Sequence, residues 1–349
     1  MKSFWKNKRV LITGHSGFKG SWLTLLLHKL EAKVFGLSLI PETKPNAYEL
    51  LNVKQTVTNE TFTDIRNQQN VEKFIKLSNP DIIFHMAAQS LVKKSYAMPK
   101  LTFETNILGT LNILEVTRKI KNECSVVIIT TDKVYEDQNW CWGYRENDKL
   151  GGHDPYSSSK TCAEHISACY RDSYFSAAKT GIRICTARAG NIIGGGDWSE
   201  DRIIPDIMRA FENNKSVSIR SPHSIRPWQH LFDPLRGYLR LAERMSYGLL
   251  IESAFNFGPP GPAIYTVKDV VRYFCEEFNV HFRNKTKISK QEKETNLLKL
   301  DISRSKDLLD WEPKITLEDS LKLTADWYKA FYKGKNMESF SFKQINNYF

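Results

Sequence analysis

Gly14-His15-Ser16-Gly17-Phe18-Lys19-Gly20 reads G-x-x-G-x-x-G and follows the short apolar run Arg9-Val-Leu-Ile-Thr13. A buried strand that runs into glycines turns tightly, because glycine accepts backbone angles that a Cβ forbids. Glycine also lets the backbone approach a diphosphate. A helix that follows offers unpaired N–H groups and its positive dipole end to that anion. Ser21 to Leu30 (SWLTLLLHKL) has the helical apolar spacing required. Glycines at this spacing also mark ordinary turns. Their place between a strand and a helix makes this the entry to a dinucleotide-binding Rossmann unit. The expected cofactor contacts are Gly14, Ser16, Gly17, Phe18, Lys19 and Gly20.

The same alternation continues downstream. Lys33 to Leu39 reads as strand two, Glu72 to Leu77 as a helix stopped before Pro80, and Asp81-Ile-Ile-Phe84 as a strand. Thr105 to Lys121 is a long helix, Ser125 to Ile129 an apolar strand, Ser158 to Phe175 a helix and Ile182 to Ala187 a strand. This rhythm predicts an α/β fold, a doubly wound parallel Rossmann sheet with helices on both faces. After Gly190 the rhythm breaks, and glycine, proline, arginine and tryptophan cluster between Gly194 and Trp228. The expected division is a dinucleotide-binding domain over 1–189, with a returning segment at about 230–262. A smaller C-terminal substrate-binding lobe takes most of 190–349.

A composition of 41% hydrophobic and 26% charged residues leaves enough apolar material for a core. The net charge of +11 raises a nucleic-acid partner. Lys and Arg are interleaved with Asp and Glu, however, and the most basic stretch, Arg283 to Lys293, reads as a solvated loop. No nucleic-acid partner is expected. The six cysteines form no C-x-x-C pair and no Cys/His cluster of zinc spacing, so no metal is expected and a reducing compartment fits. Neither a signal peptide nor a membrane span is legible, and the expected location is cytoplasmic.

Two constellations carry chemistry. Tyr156-Ser-Ser-Ser-Lys160 places a tyrosine and a lysine on one helix face. A free tyrosine titrates near ~10 and needs a drop of roughly 3 units, about 4 kcal/mol, to act as a base at neutral pH. Lys160 is expected to hold a cofactor ribose and lower that value. Thr130-Thr131-Asp132-Lys133 follows the strand Ser125 to Ile129, and ligands in such sheets lie beyond the carboxyl ends of strands. Thr131 is placed to meet a substrate hydroxyl. Asp132 and Lys133 add an acid and a base, unless they are a surface ion pair. The usual ribose-binding carboxylate at the end of strand two, roughly 20 residues past the glycines, is missing. Gly36-Leu-Ser-Leu39 stands there and Glu42 comes late, so NAD and NADP are not separated by that rule. Asp64 and Ile65 are an adenine-edge contact or a helix N-cap. His85 to Gln89 ends another strand. Ala87, Ala88 and Gln89 are expected at the cofactor, and His85 and Met86 either face it or pack beneath it. Gln89 and Ser90 reach the diphosphate or sugar, while Asn106 orients the cofactor loop from inside the fold.

These residues resemble the extended short-chain dehydrogenase/reductase family over nearly the whole chain. The motifs are Thr13 to Gly20, His85-Met-Ala-Ala-Gln89, Asn106-Ile-Leu-Gly-Thr110 and Tyr156 to Lys160. Four stretches resemble its CDP-glucose 4,6-dehydrating branch. They are Gly17 to Trp22, Trp142-Gly-Tyr-Arg-Glu-Asn147, Gly190-Asn-Ile-Ile-Gly-Gly-Gly-Asp-Trp198 and Arg226-Pro-Trp-Gln-His230, joined by the pair Asp132-Lys133. The resemblance implies bound NAD+, a CDP-glucose substrate, a lyase reaction, and a homodimer through Thr105–Lys121 and Ser158–Phe175. It also implies Tyr156 as the base at the sugar 4-hydroxyl, Asp132 as acid and Lys133 as base. Reference values near ~3.9 and ~10.4 favour the reverse, a carboxylate base and an ammonium acid. Neighbouring cations push Lys133 the other way, so the two roles stay open. In the second lobe Asn191 is expected at a substrate phosphate. Arg202 and Arg226 are expected at the diphosphate, whose oxygens suit guanidinium forks. Trp198 and Trp228 stack on the base or pack. The rivals are a sugar-nucleotide 4-epimerase, which needs no elimination pair, and a cofactor-sensing scaffold, which needs no tuned tyrosine.

Overall fold

The computed structural model describes residues 2–175, 180–250, 253–259, 265–284 and 298–349. Seven strands form one parallel sheet: β1 (Arg9–Thr13), β2 (Lys33–Ser38), β3 (Asn59–Phe62), β4 (Ile82–His85), β5 (Cys124–Ile129), β6 (Ile182–Ala189) and, much later, β10 (Ala254–Phe257). Their order across the sheet is β10-β6-β5-β4-β1-β2-β3. Connections run outward in opposite directions from β1 and β4, which pair Thr13 with His85. That reversal opens a crevice at the carboxyl ends of these two strands.

Alternate residues of each strand feed opposite faces. Val10 and Ile12 join one core with Trp5, Trp22 and Phe232, whereas Leu11 joins Ile83, Val126 and Ile113 in the other. The helix Phe232–Ser246 lies over β5 and β6, and β10 completes the sheet edge beside β6. The helix Phe232–Ser246 and β10 thus belong to the sheet layer, and 251–252 and 260–262 lie outside the described residues. The short strands β7 (Ile192–Ile193) and β9 (Gln229–His230) pair, as do β8 (Val217–Ile219) and β11 (Phe282–Asn284). With the helices Ile203–Glu212, Val267–Glu277 and Leu317–Tyr332 they roof the crevice. The last helix, Met337–Tyr348, packs back on the sheet layer: Tyr348 stacks on Phe232, and Asn52 of the first half donates to Glu338.

Several boundaries differ from the sequence expectation. The glycine-turn helix begins at Phe18, three residues early, with Gly17 as its N-cap. The tyrosine helix begins at Pro155, where Asp154 caps it by accepting from the Ser157 N–H. The long helix runs from Pro99 to Thr117 with a π-turn at Glu104–Leu108, because Pro99 suits a first helical position. Arg283 and Asn284 belong to β11 and not to a loop, and 285–293 lie outside the described residues.

Candidate active site

The crevice continues into a cleft of about 1590 Å³ between the sheet's carboxyl edge and the second lobe. Its cofactor end is built from backbone. Gly14 sits at φ +79, and a Cβ there would come 2.9 Å from the Ala87 nitrogen. A Cβ on Gly20 would come 2.0 Å from the Gly14 carbonyl oxygen. The turn and the helix start therefore touch as closely as a dinucleotide cradle requires. Ser16 donates to the Leu39 carbonyl and accepts from Ser38, tying the turn to the end of β2. Hydroxyls thus stand where a ribose carboxylate was sought, and Glu42 instead pairs with Lys94 at 2.9 Å. Half-buried Glu60 bonds His15 at 2.9 Å and Tyr48 at 2.7 Å. Gly36 leaves room for that His15 ring, since a Cβ there would meet it at 2.5 Å. Asp64 does not cap a helix. It accepts from Arg66, and Asn67 is the cap.

Ala87, Ala88, Gln89 and Ser90 line the cleft, as do Ile65 and Thr130. The Gln89 amide is engaged within its loop, donating to Thr102 at 2.9 Å and accepting from the Leu91 N–H at 2.7 Å. Asn106 does not line the cleft. It bonds both backbone groups of Gln89 and donates to Ser159, joining the cofactor loop to the tyrosine helix. His85 packs beneath the site between Thr13 and Thr110. Burial, with Lys160 nearby, pushes its pKa down to about 3, so it is neutral.

At the opposite corner, the end of β5 enters a 3-10 turn, Asp132–Val134, capped by Thr131. Asp132 is 1% exposed. Its Oδ1 accepts from the Thr131 hydroxyl at 3.0 Å. Its Oδ2 has no hydrogen-bond partner and lies against Gly190, where a Cβ would come within 2.0 Å. Burial raises the Asp132 pKa above the usual carboxylate range, against the pull of Lys133, Thr131 and Arg226. Desolvation thus favours the neutral, donating form of this carboxyl over that of an exposed one. Tyr156 departs from expectation in the other direction. Burial pushes it up to about 12, although the Thr131 hydroxyl and Arg202 pull it down. Lys160 does not supply the expected lowering. Its ammonium donates to the Ile129 carbonyl at 2.9 Å, and burial brings it down to about 8.

Sequence reasoning missed what holds this corner. Glu164, one turn beyond Lys160, accepts from Thr130, from Thr186 and twice from Arg188, and all four residues are buried. Burial alone would push the Glu164 carboxyl up, but Arg188 outweighs it and holds the group below its ordinary value. The available signal was an arginine inside the apolar strand β6. In the second lobe, Arg202 pairs with Asp197 at 2.9 Å and reaches Ser90, while the buried Arg226 and Asn191 also line the cleft. Trp198 packs against Tyr328 and Phe331, and Trp228 lines the cleft wall.

Residues 11–324 match the family model described as GDP-mannose 4,6 dehydratase. The chain belongs to this family. It is 41% identical to the CDP-glucose 4,6-dehydratase of Salmonella typhimurium, covering 99% of this chain and 98% of that protein. The fold is shared with the UDP-glucose 4-epimerase of Thermotoga maritima solved with UDP-glucose, at a TM-score of 0.78 and 22% identity, covering 93% of this chain and 99% of that one. It is also shared with the dTDP-glucose 4,6-dehydratase of Bacillus anthracis solved with NAD, at a TM-score of 0.74 and 22% identity, covering 92% and 96%. Among the described residues, no helix is long and apolar enough to cross a membrane.

Proposed function

We propose that the protein is an NAD+-dependent CDP-glucose 4,6-dehydratase, a lyase that forms CDP-4-dehydro-6-deoxyglucose and water. The observation that carries this reading is Asp132: a buried carboxyl held up in pKa, beside Lys133 and Tyr156 at the end of β5. Epimerisation at C4 has no use for such an acid, and elimination of the 6-hydroxyl requires one.

The glycine turn fits a dinucleotide, with the first N–H groups of the helix Phe18–Lys29 meeting its diphosphate and Asp64 and Ile65 at the adenine side. NAD+ held there would supply reversible hydride acceptance between C4 and C6 of the sugar and a positive ring that favours the Tyr156 phenolate. Lys160 holds the ribose. Tyr156 takes the proton of the 4-hydroxyl while Thr131 orients that oxygen. The resulting ketone acidifies C5. Lys133 removes the C5 proton and later restores it, and Asp132 protonates the departing 6-hydroxyl. Arg202, Arg226 and Asn191 meet the substrate diphosphate. The sheet, with the returning 230–259 segment, serves the cofactor, and the rest of 190–349 mainly serves the substrate. The helices at 99–117 and 155–174 form the face of a homodimer, a role supported by exposed Met98, Leu108 and Tyr174. The protein works in the cytoplasm.

The test is incubation with NAD+ and, separately, CDP-, dTDP-, GDP- and UDP-glucose, with alkali-induced absorbance as the signature of a 4-ketosugar. Signal from CDP-glucose alone is expected. Signal only from another nucleotide sugar refutes the CDP assignment, and epimerised product without the signal refutes dehydration.

A further inference from the structure

In the proposed reaction the hydride taken from C4 goes back to C6 of the same sugar, so the dinucleotide has to stay seated between the two transfers. Release in between would strand an oxidised sugar in an enzyme without its hydride. The carboxylate that usually grips the adenosine ribose is missing, and the hydroxyls of Ser16 and Ser38 stand in its place. Retention then falls to other groups.

The sheet order shows where such a hold can act. β1 lies between β2 and β4, so the glycine turn that leaves β1 is flanked by the segments that leave those two strands. Glu42 stands on the loop after β2, and Lys94 on the helix Val92–Ala97 after β4. Their side chains meet at 2.9 Å, and both residues line the cleft. The ion pair therefore joins the two flanks of the crevice. We infer that Glu42 and Lys94 form a clasp that closes over the bound dinucleotide and slows its release. The carboxylate that comes too late in the chain to bind a ribose serves the same ligand by bonding a lysine on the opposite flank. The inference rests on the dinucleotide reading of the glycine turn and on the dehydratase reading above.

Three further observations favour a clasp. The Glu42 side chain is 68% exposed and that of Lys94 33%, so the pair stands at the mouth of the cleft, in contact with water, where it can open to admit a ligand. Leu39 and Ile40, on the same loop as Glu42, line the cleft and are 53% and 70% exposed, and a dinucleotide held under the clasp covers such apolar groups. The helix that carries Lys94 is also anchored on its other side. Lys93 pairs with Asp201 of the second lobe at 2.8 Å, and Ser90, just before the helix, accepts from Arg202 at 3.4 Å. Adjacent lysines thus tie one short helix to the cofactor flank and to the substrate lobe.

The test follows release of NADH from the full-length enzyme by its fluorescence, with excess NAD+ added as the chase. Glu42→Gln and Lys94→Met should each speed release about twofold to fivefold, the usual reach of an exposed ion pair. The double variant should release NADH no faster than either single variant, because both remove the same interaction. The exchanged pair, Glu42→Lys with Lys94→Glu, should return release to near its original rate. Added salt should speed release from the unaltered enzyme and leave the double variant unmoved. Unchanged release in the two single variants overturns the clasp. An effect of Lys94→Met that Glu42→Gln does not share, or that the exchanged pair does not cure, also overturns it, since Lys94 would then hold the dinucleotide by itself. Failure of the dinucleotide reading looks different, since the unaltered protein would then bind no NADH. Failure of the dehydratase reading alone leaves these release rates as they are and shows in the absence of ketosugar.

Discussion

At one end of the cleft, Gly14 to Gly20 meets its ligand with backbone, and what matters is the absence of side chains. At the other, the end of β5 and the helix that starts at Pro155 meet theirs with Asp132, Lys133, Tyr156 and Lys160, and most of those groups are titratable and buried. The glycine end works by shape. A Cβ on Gly20 would sit 2.0 Å from a fixed backbone oxygen, which no rotamer relieves. The carboxylate end works by desolvation, which lifts Asp132 and Tyr156 and lowers Lys160 at once. Substitutions at the first end should change cofactor affinity and spare the chemical step. Substitutions at the second should do the reverse.

The largest expected effect is at the acid. Asp132→Asn should lower kcat by roughly 10²–10⁴, the usual worth of a positioned acid, with NAD+ affinity measured by titration unchanged. Loss of NAD+ binding in that variant would break the division. Next is the network beneath the corner. Glu164→Gln leaves Arg188 buried without its counter-charge and should cost about 3–5 kcal/mol in denaturant unfolding. An unchanged unfolding midpoint would show that this ion pair does not hold the corner. At the glycine end, Gly20→Ala forces the turn and helix apart. It should weaken NAD+ binding by about 1–3 kcal/mol while saturated kcat stays near the original. A fall in saturated kcat larger than the fall in affinity would join the two ends functionally.

The smallest effect sharpens the contrast through pH. His85, buried under the cofactor loop, has a folded pKa of about 3 against 6.5 in the unfolded chain, and burial holds His230 near the same value. Below 6.5 the unfolded chain binds these protons and the folded chain does not. The contribution to stability is therefore complete above 6.5 and is lost as pH falls toward 3, at about 1.4 kcal/mol per pH unit for each histidine. His85→Gln should remove about half of that slope in unfolding experiments between pH 6.5 and 5. An unaltered slope would mean that His85 already titrates in the folded protein.

Much of this was legible in the chain. Gly14 to Gly20 sat between a run of four apolar or β-branched residues and a helical pattern, so the turn and its ligand class were readable locally. Tyr156, Lys160 and the Asp132-Lys133 pair were readable as spacing. The π-turn at Glu104–Leu108 and the strand at Arg283 were not, because pairing with β8 and packing around Gly109 are non-local. Glu164 was missed for the same reason: its donors are Thr130, just past β5, and Thr186 and Arg188 of β6.

The sequence by itself determined which residue types stand at which periods, and hence the parallel sheet, the glycine cradle and the tyrosine-lysine helix. Those follow from backbone sterics and the two side-chain periodicities, which act over a few residues. Only the tertiary structure decided the charges. It raised Tyr156 where spacing promised a lowering, it engaged the Gln89 amide with Thr102 and Leu91, and it set the Thr131 hydroxyl on Asp132. Desolvation depends on everything packed around a group, and β6, Gly190 and the roof of the second lobe reach Asp132 only once the chain has folded over it.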